Sequence, residues 1–280
     1  MDQVHVVTDS TADIPASLVE ELGIVVVPCY VHFGQETYLD GVNLSREQFY
    51  ARLASSSIPP TTSQPPVGMF AEIYQRLAQR TKQIISIHPA ANLSALYNAA
   101  RLGAQMISNA RIALIDSTQV SMGTGWLAVL AARAAQAGQS LDQIVALIRD
   151  TIPRVRLLAV IDDLHYLHRS GRVSWVGALI GSLLNIKPLV ILKDGHVTLL
   201  EKVRTYTKAL DRLIALTSGL GPLQEVAVLH ANAPQMAERL ANMLSPMYTR
   251  SRILMSEAGT VMTTHAGPGA VALACVLARK

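Results

Sequence analysis

Short β-branched runs alternate with helix-length stretches through the first half of the chain, and several runs end on polar residues. Val4–Val7 runs into Thr8-Asp9-Ser10, Gln83–Ile87 into His88, and Arg111–Ile115 into Asp116-Ser117. Between them, Asp13 reads as a helix cap with Pro15 in the first turn, Gly23 closes that helix, and Val25–Tyr30 reads as the next strand. Gly34-Gln35-Glu36 turns the chain back into a hairpin strand over Thr37–Asp40, and Ser45-Arg46-Glu47-Gln48 is a capping box. Helical spacing follows over Val67–Arg80, Ser94–Ile107, Gly125–Gln136 and Leu141–Ile152. The Ser55–Pro66 segment, with four prolines and almost no apolar content, reads as a stiff loop. This alternation predicts an α/β fold whose N-terminal domain, residues 1–153, is a mostly parallel open sheet with helices on both faces. Ligands of such sheets bind beyond the carboxyl ends of the strands.

The second half has a different grammar. Leu157–Ile161 reads as a strand, Asp162–Arg169 as a helix, and Ser174–Leu184 as a short apolar segment. Lys187–Leu192 and His196–Val203 flank Asp194-Gly195, a hairpin signature that implies a mixed sheet. Thr207–Ser218 and Pro234–Leu244 read as helices, Glu225–Leu229 and Arg252–Ser256 as strands, and Gly267-Pro268-Gly269 as the start of a final helix. A second α/β domain over 154–280, a mixed sheet with helices, is the expectation.

Half of the residues are hydrophobic, 16% are charged and only 5% are aromatic. That balance suits a large aliphatic core and argues against stacking of bases on aromatic platforms. The net charge of +4 is interleaved, with no long basic run, so nucleic acid is not expected as a partner. Cys29 and Cys275 lie apart in apolar stretches, as buried thiols of a reducing cytosol would. The start Met1-Asp2-Gln3-Val4 lacks the pattern of a signal peptide, and apolar windows break before the ~18 residues of a membrane span. A cytoplasmic location without a transmembrane segment is therefore the expectation.

Eight segments run in order along the chain: Thr8-Asp9-Ser10-Thr11-Ala12-Asp13, Pro60-Thr61-Thr62-Ser63-Gln64-Pro65, Leu93-Ser94 with Tyr97, Ile115-Asp116-Ser117, Gly171-Arg172, Leu184-Asn185-Ile186-Lys187-Pro188, Lys202-Val203-Arg204-Thr205, and His265-Ala266-Gly267-Pro268-Gly269. As an ordered set over residues 4–279 they resemble the DegV family, some of whose members are the fatty-acid-binding subunit of bacterial fatty acid kinase. The resemblance implies a fatty acid such as palmitate or oleate in a tunnel of the N-terminal domain. It implies carboxyl contacts from Thr62 and Ser94, with His265 as a third polar partner. It also implies a separate kinase subunit that turns the bound carboxyl into an acyl-phosphate, with Arg204 facing that partner. On this reading the protein is a carrier, not an enzyme, and needs no cofactor or metal. The chain departs from the family's usual Gly-Thr after the serine, carrying Ala95-Leu96 instead, and its His88-Pro89-Ala90-Ala91-Asn92 is also unusual.

Taken as residues alone, these positions have plainer roles open to them. Ser94 serves equally as a helix N-cap, Thr61-Thr62-Ser63 as solvated loop, and His265 as a turn histidine. Asp9 and Ser10 serve as a strand-end turn or, with His265, as the machinery of a small hydrolase or phosphotransferase. His165 and His168, three apart, lack a third metal ligand in sequence. Arg169, Arg172, Lys202 and Arg204 form either one basic patch or scattered solvated charges, and regular strand alternation would put Lys202 and Arg204 on one face.

Overall fold

In a computed structural model, which describes residues 3–178 and 186–279, β-branched runs become buried strands and amphipathic stretches cover them. The chain divides into two compact units, Met1–Pro153 and Arg154–Lys280.

The first unit contains β1 (His5–Asp9), α1 (Ala16–Leu22), β2 (Val25–Val27), β3 (Tyr30–Phe33), β4 (Glu36–Leu39), α2 (Arg46–Ser55), β5 (Thr61–Ser63) and α3 (Val67–Leu77). Then come β6 (Gln83–His88), α4 (Leu96–Gln105), β7 (Arg111–Asp116), α5 (Met122–Gln136) and α6 (Leu141–Thr151). A parallel sheet runs β2-β1-β6-β7, and a small antiparallel sheet runs β4-β3-β5. Along β6 every residue from Ile84 to His88 is buried, the signature of a strand covered on both faces. α5 is buried almost all round, from Met122 to Ala135, and packs on β1 and β6. Both capping boxes, Ser45 with Gln48 and Ser140 with Gln143, close as their spacing requires.

Four local expectations change. Val25–Tyr30 is not one strand: the chain breaks around Pro28, which has no N–H to donate, and its two ends enter different sheets. Asp13 does not open α1; it ends a 3-10 turn over Ser10–Ala12 at φ 52° and accepts a hydrogen bond from the Ser121 hydroxyl, while Pro15 occupies the cap position of α1. Part of the Pro-rich loop is strand β5, because backbone pairing with β3 needs no apolar side chains. The helix after β6 opens at Leu96, with Ala95 in the cap position and no side-chain cap.

The second unit contains β8 (Val155–Val160), α7 (Leu164–Arg169), β9 (Lys187–Lys193), β10 (His196–Val203), α8 (Tyr206–Ser218), β11 (Leu223–His230), α9 (Pro234–Leu244), β12 (Leu254–Glu257), α10 (Thr260–Ala266) and β13 (Val271–Leu277). Its mixed sheet runs β10-β9-β8-β13-β11-β12, with β11 and β12 parallel. Leu158, Val226, Val228 and Leu273 pack with α8 and α9, whereas Val190 and Ala159 pack with α7 and α10, so both faces carry helices. The Asp194-Gly195 hairpin forms, with both residues at positive φ. Gly267-Pro268-Gly269 starts no helix. Gly267 ends α10 at φ 82°, close under the Tyr166 ring, and a central strand follows. Of the segment expected over Ser174–Leu184, residues 174–178 form a single 3-10 stretch; Leu184 and Asn185 lie outside the described residues.

Candidate functional site

In the parallel sheet the chain leaves β1 for β2 on one side and β6 for β7 on the other. The switch point therefore lies between β1 and β6, where α/β sheets open a crevice at their carboxyl ends. Asp9 ends β1 and His88 ends β6, and both side chains are fully buried. His88 Nδ1 lies 2.7 Å from Asp9 Oδ2, and His88 Nε2 lies 2.8 Å from Ser86 Oγ. Ser86 Oγ is in turn 2.8 Å from the Tyr74 hydroxyl. Asp9 Oδ1 accepts the Thr11 N–H at 3.1 Å and the Thr11 hydroxyl as well. Ser86 Oγ thus bridges the imidazole and the phenol. Burial raises the Tyr74 pKa, with Asp9 adding to it, and keeps that phenol protonated. Phe70 seals the array edge-on to His88, with ring centroids 5.3 Å apart.

The order carboxylate–imidazole–hydroxyl is also that of a nucleophilic triad. Here Ser86 lies within a central strand, fully buried, with both its neighbours already bonded. The geometry fixes the ends of β1 and β6 relative to one another. Ser10 is placed differently: its oxygen accepts the Cys29 N–H at 3.1 Å. Asp9 thus spends its carboxylate on Thr11 and His88, not on Ser10. His88 follows a strand in the sequence, but nothing there tied it to Asp9, 79 residues away.

The hydroxyls singled out from the sequence stand on two other segments of the same unit. Thr62, half-buried, pairs with Val31 across β5 and β3. Ser94, half-buried, lies in the link from β6 to α4, where its Oγ accepts the Leu96 N–H at 3.3 Å. That link is anchored to the sheet edge: Ala90 N–H donates to Gln119 O, Ala91 N–H to Asp116 Oδ2, and Ser94 N–H to Ala90 O. A separate cleft of about 240 Å3 opens beside the amino-terminal part of β1, lined by Val4, His5, Glu20, Leu22 and Gln136 among others. Its size falls below the ~300 Å3 at which small-molecule pockets begin, and its lining is mixed, so it does not suit an acyl chain.

In the second unit, His265 occupies the last turn of α10. Burial and the Arg172 guanidinium push its pKa down to about 4, so the imidazole is neutral near pH 7. Arg204 is exposed, one residue past the end of β10 and next to Thr205, whose hydroxyl caps α8. Lys202 is exposed on β10, but Arg204 lies beyond the strand, so alternation does not tie the two to one face. Arg169 stacks over the Tyr166 ring, its guanidinium carbon 4.6 Å from the centroid. His165 pairs with Asp163, and no cluster suited to a metal ion occurs among the described residues. No helix of the described residues is long and apolar enough to cross a membrane.

Known proteins are similar to this chain over nearly its whole length. A DegV domain-containing protein of Caldanaerobacter subterraneus is 35% identical over 273 residues, covering 96% of this chain and 97% of the relative. The protein DegV of Bacillus subtilis is 33% identical, covering 96% and 98%. Its crystal structure, that of a fatty acid binding protein, superposes with a TM-score of 0.89 over 99% of this chain and all of the other. A DegV family protein from Thermus thermophilus, described for its fatty acid binding, is 27% identical and gives a TM-score of 0.91 over 99% of this chain and 100% of its own. The DegV family model itself matches residues 3–278, and the chain belongs to the DegV family.

Proposed function

We propose that the protein is a carrier that binds a long-chain fatty acid such as palmitate or oleate in its N-terminal unit. The observation that carries this reading is the full-length likeness to DegV structures described as fatty acid binding proteins, with TM-scores of 0.89 and 0.91. Thr62 and Ser94 serve as hydrogen-bond partners of the carboxyl group, which needs such partners once taken out of water. In the second unit, His265 is a further polar candidate, neutral near pH 7. The acyl chain supplies the affinity, up to ~0.8 kcal/mol per buried methylene.

The carrier does no chemistry alone. A separate cytoplasmic kinase subunit phosphorylates the presented carboxyl, and exposed Arg204 meets that partner. A guanidinium stays charged and bonds phosphate bidentately, which suits such a contact. The bonding of Ser10 and Asp9 to Cys29, Thr11 and His88 gives the hydrolase reading no support.

Denaturing extraction of protein purified from bacteria, followed by mass spectrometry, tests the reading. About one acyl chain per protein is expected for a single site. An empty extract, with no binding of added palmitate or oleate, would sink it.

A further inference from the structure

The link from β7 to α5 is crowded with buried polar groups. Asp116 Oδ1 accepts the Thr118 N–H at 2.8 Å. Ser117 Oγ lies 2.8 Å from Thr124 Oγ1 and accepts the Gln119 N–H at 3.1 Å. The Ser121 hydroxyl donates to Asp13. Among the described residues the Gln119 side-chain oxygen has no partner, although Gln119 is only 1% exposed. A buried amide oxygen without a donor destabilises the fold, so its presence calls for a reason.

The side chain lies folded across Gly123, where a Cβ would come within 3.0 Å of Oε1. Gly123 is the second residue of the 15-residue α5. The amide therefore stands over the first turn of a long helix, where unpaired N–H groups and the helix dipole favour acceptors and anions. The backbone of the same residue leads to the candidate carboxyl contact. Gln119 O accepts the Ala90 N–H at 2.8 Å, and Ala90 O accepts the Ser94 N–H at 3.1 Å.

We infer that Gln119 is a further ligand-binding residue, whose side-chain amide takes the carboxyl head group over the first turn of α5. The inference rests on the fatty-acid reading above. The chemistry matches in either protonation state. A protonated carboxyl donates to the amide oxygen, and an ionised one accepts from the amide NH2 after a half-turn of the side chain. A methyl ester carries neither the O–H nor the charge.

Palmitate and methyl palmitate, titrated into delipidated wild-type protein and Gln119→Leu, test it. Leucine removes the amide and shortens the side chain by one atom. Gln119→Leu should weaken palmitate about tenfold, the equivalent of about 1.4 kcal/mol, and leave methyl palmitate within about twofold. Its unfolding midpoint should not fall, because an unpaired buried polar group has been removed. Unchanged palmitate affinity overturns the inference. So does a parallel loss of both ligands together with a lower midpoint, which makes Gln119 a packing residue. Wild-type protein that binds neither ligand overturns the fatty-acid reading and this inference with it, an outcome distinct from a silent Gln119→Leu.

Discussion

At the scale of single residues, the hydroxyls and the buried pair make opposite demands. Thr62 and Ser94 are half-buried; Thr62→Ala should leave the unfolding midpoint nearly unchanged, and Ser94→Ala, which loses the bond to the Leu96 N–H at the start of α4, should cost no more than about 1 kcal/mol. Each should weaken fatty-acid binding by about 1.5–3 kcal/mol, the value of one hydrogen bond to a charged group. Calorimetric titration checks both, and full affinity in the double variant would place the head group elsewhere. Asp9 and His88 are fully buried and joined at 2.7 Å. His88→Ala strands a carboxylate and should cost about 3–5 kcal/mol of stability. Combining it with Asp9→Ala should cost less than the two losses added, by about 0.5–3 kcal/mol, as denaturant unfolding of the full cycle would show. Strictly additive losses would mean that the two side chains do not act together. In the sequence, Thr62 and Ser94 stand out as candidates only through their motif neighbours. It announced neither the Asp9–His88 bond, which joins residues 79 apart in the chain, nor the isolation of Gln119 Oε1, which no side-chain pattern encodes.

At the scale of elements, α5 is set by how closely its backbone approaches its neighbours. At Gly125 an added Cβ would lie 2.6 Å from Ala12 O and 2.7 Å from Met122 Sδ. Gly125→Ala should therefore destabilise by about 1–3 kcal/mol from overpacking, less the helix propensity it gains. Gly68, in the first turn of α3, has open space around its Cα. There the same change should be neutral or stabilise by up to about 1 kcal/mol. Thermal melts of the two variants check the opposite signs; a stabilised Gly125→Ala would refute the close approach. Periodicity and caps made most elements legible: β6, β7, α3 and the Ser45 capping box fall within a few residues of where spacing puts them. The misreadings share one cause. β5, the break at Pro28 and the strand after Gly269 depend on which backbone finds a partner across the sheet, and side-chain pattern carries little of that information. The Gly-Pro-Gly segment misled because glycine ends helices more often than it opens them.

At the scale of the whole molecule, ligand and partner should separate cleanly. Arg204→Ala should bind palmitate as wild type does, yet support acyl-phosphate formation poorly when a cognate kinase and ATP are added. Phosphate release or hydroxamate trapping reads the second effect, and loss of binding together with phosphorylation would instead assign Arg204 to the ligand. The sheet of the second unit raises a question of a different kind, that of how such a chain comes off the ribosome. β13 follows its five companion strands in sequence, yet it is hydrogen-bonded between β8 and β11. Synthesis delivers β8, β9 and β10 as one half-sheet and β11 with β12 as another, each with an unpaired edge where β13 belongs. Until Val271–Leu277 emerges, the nascent unit has nothing to zip those edges together, and exposed edges invite pairing with other chains. A message truncated a few codons too early would thus yield two adhesive fragments of sheet, good prey for chaperones and proteases.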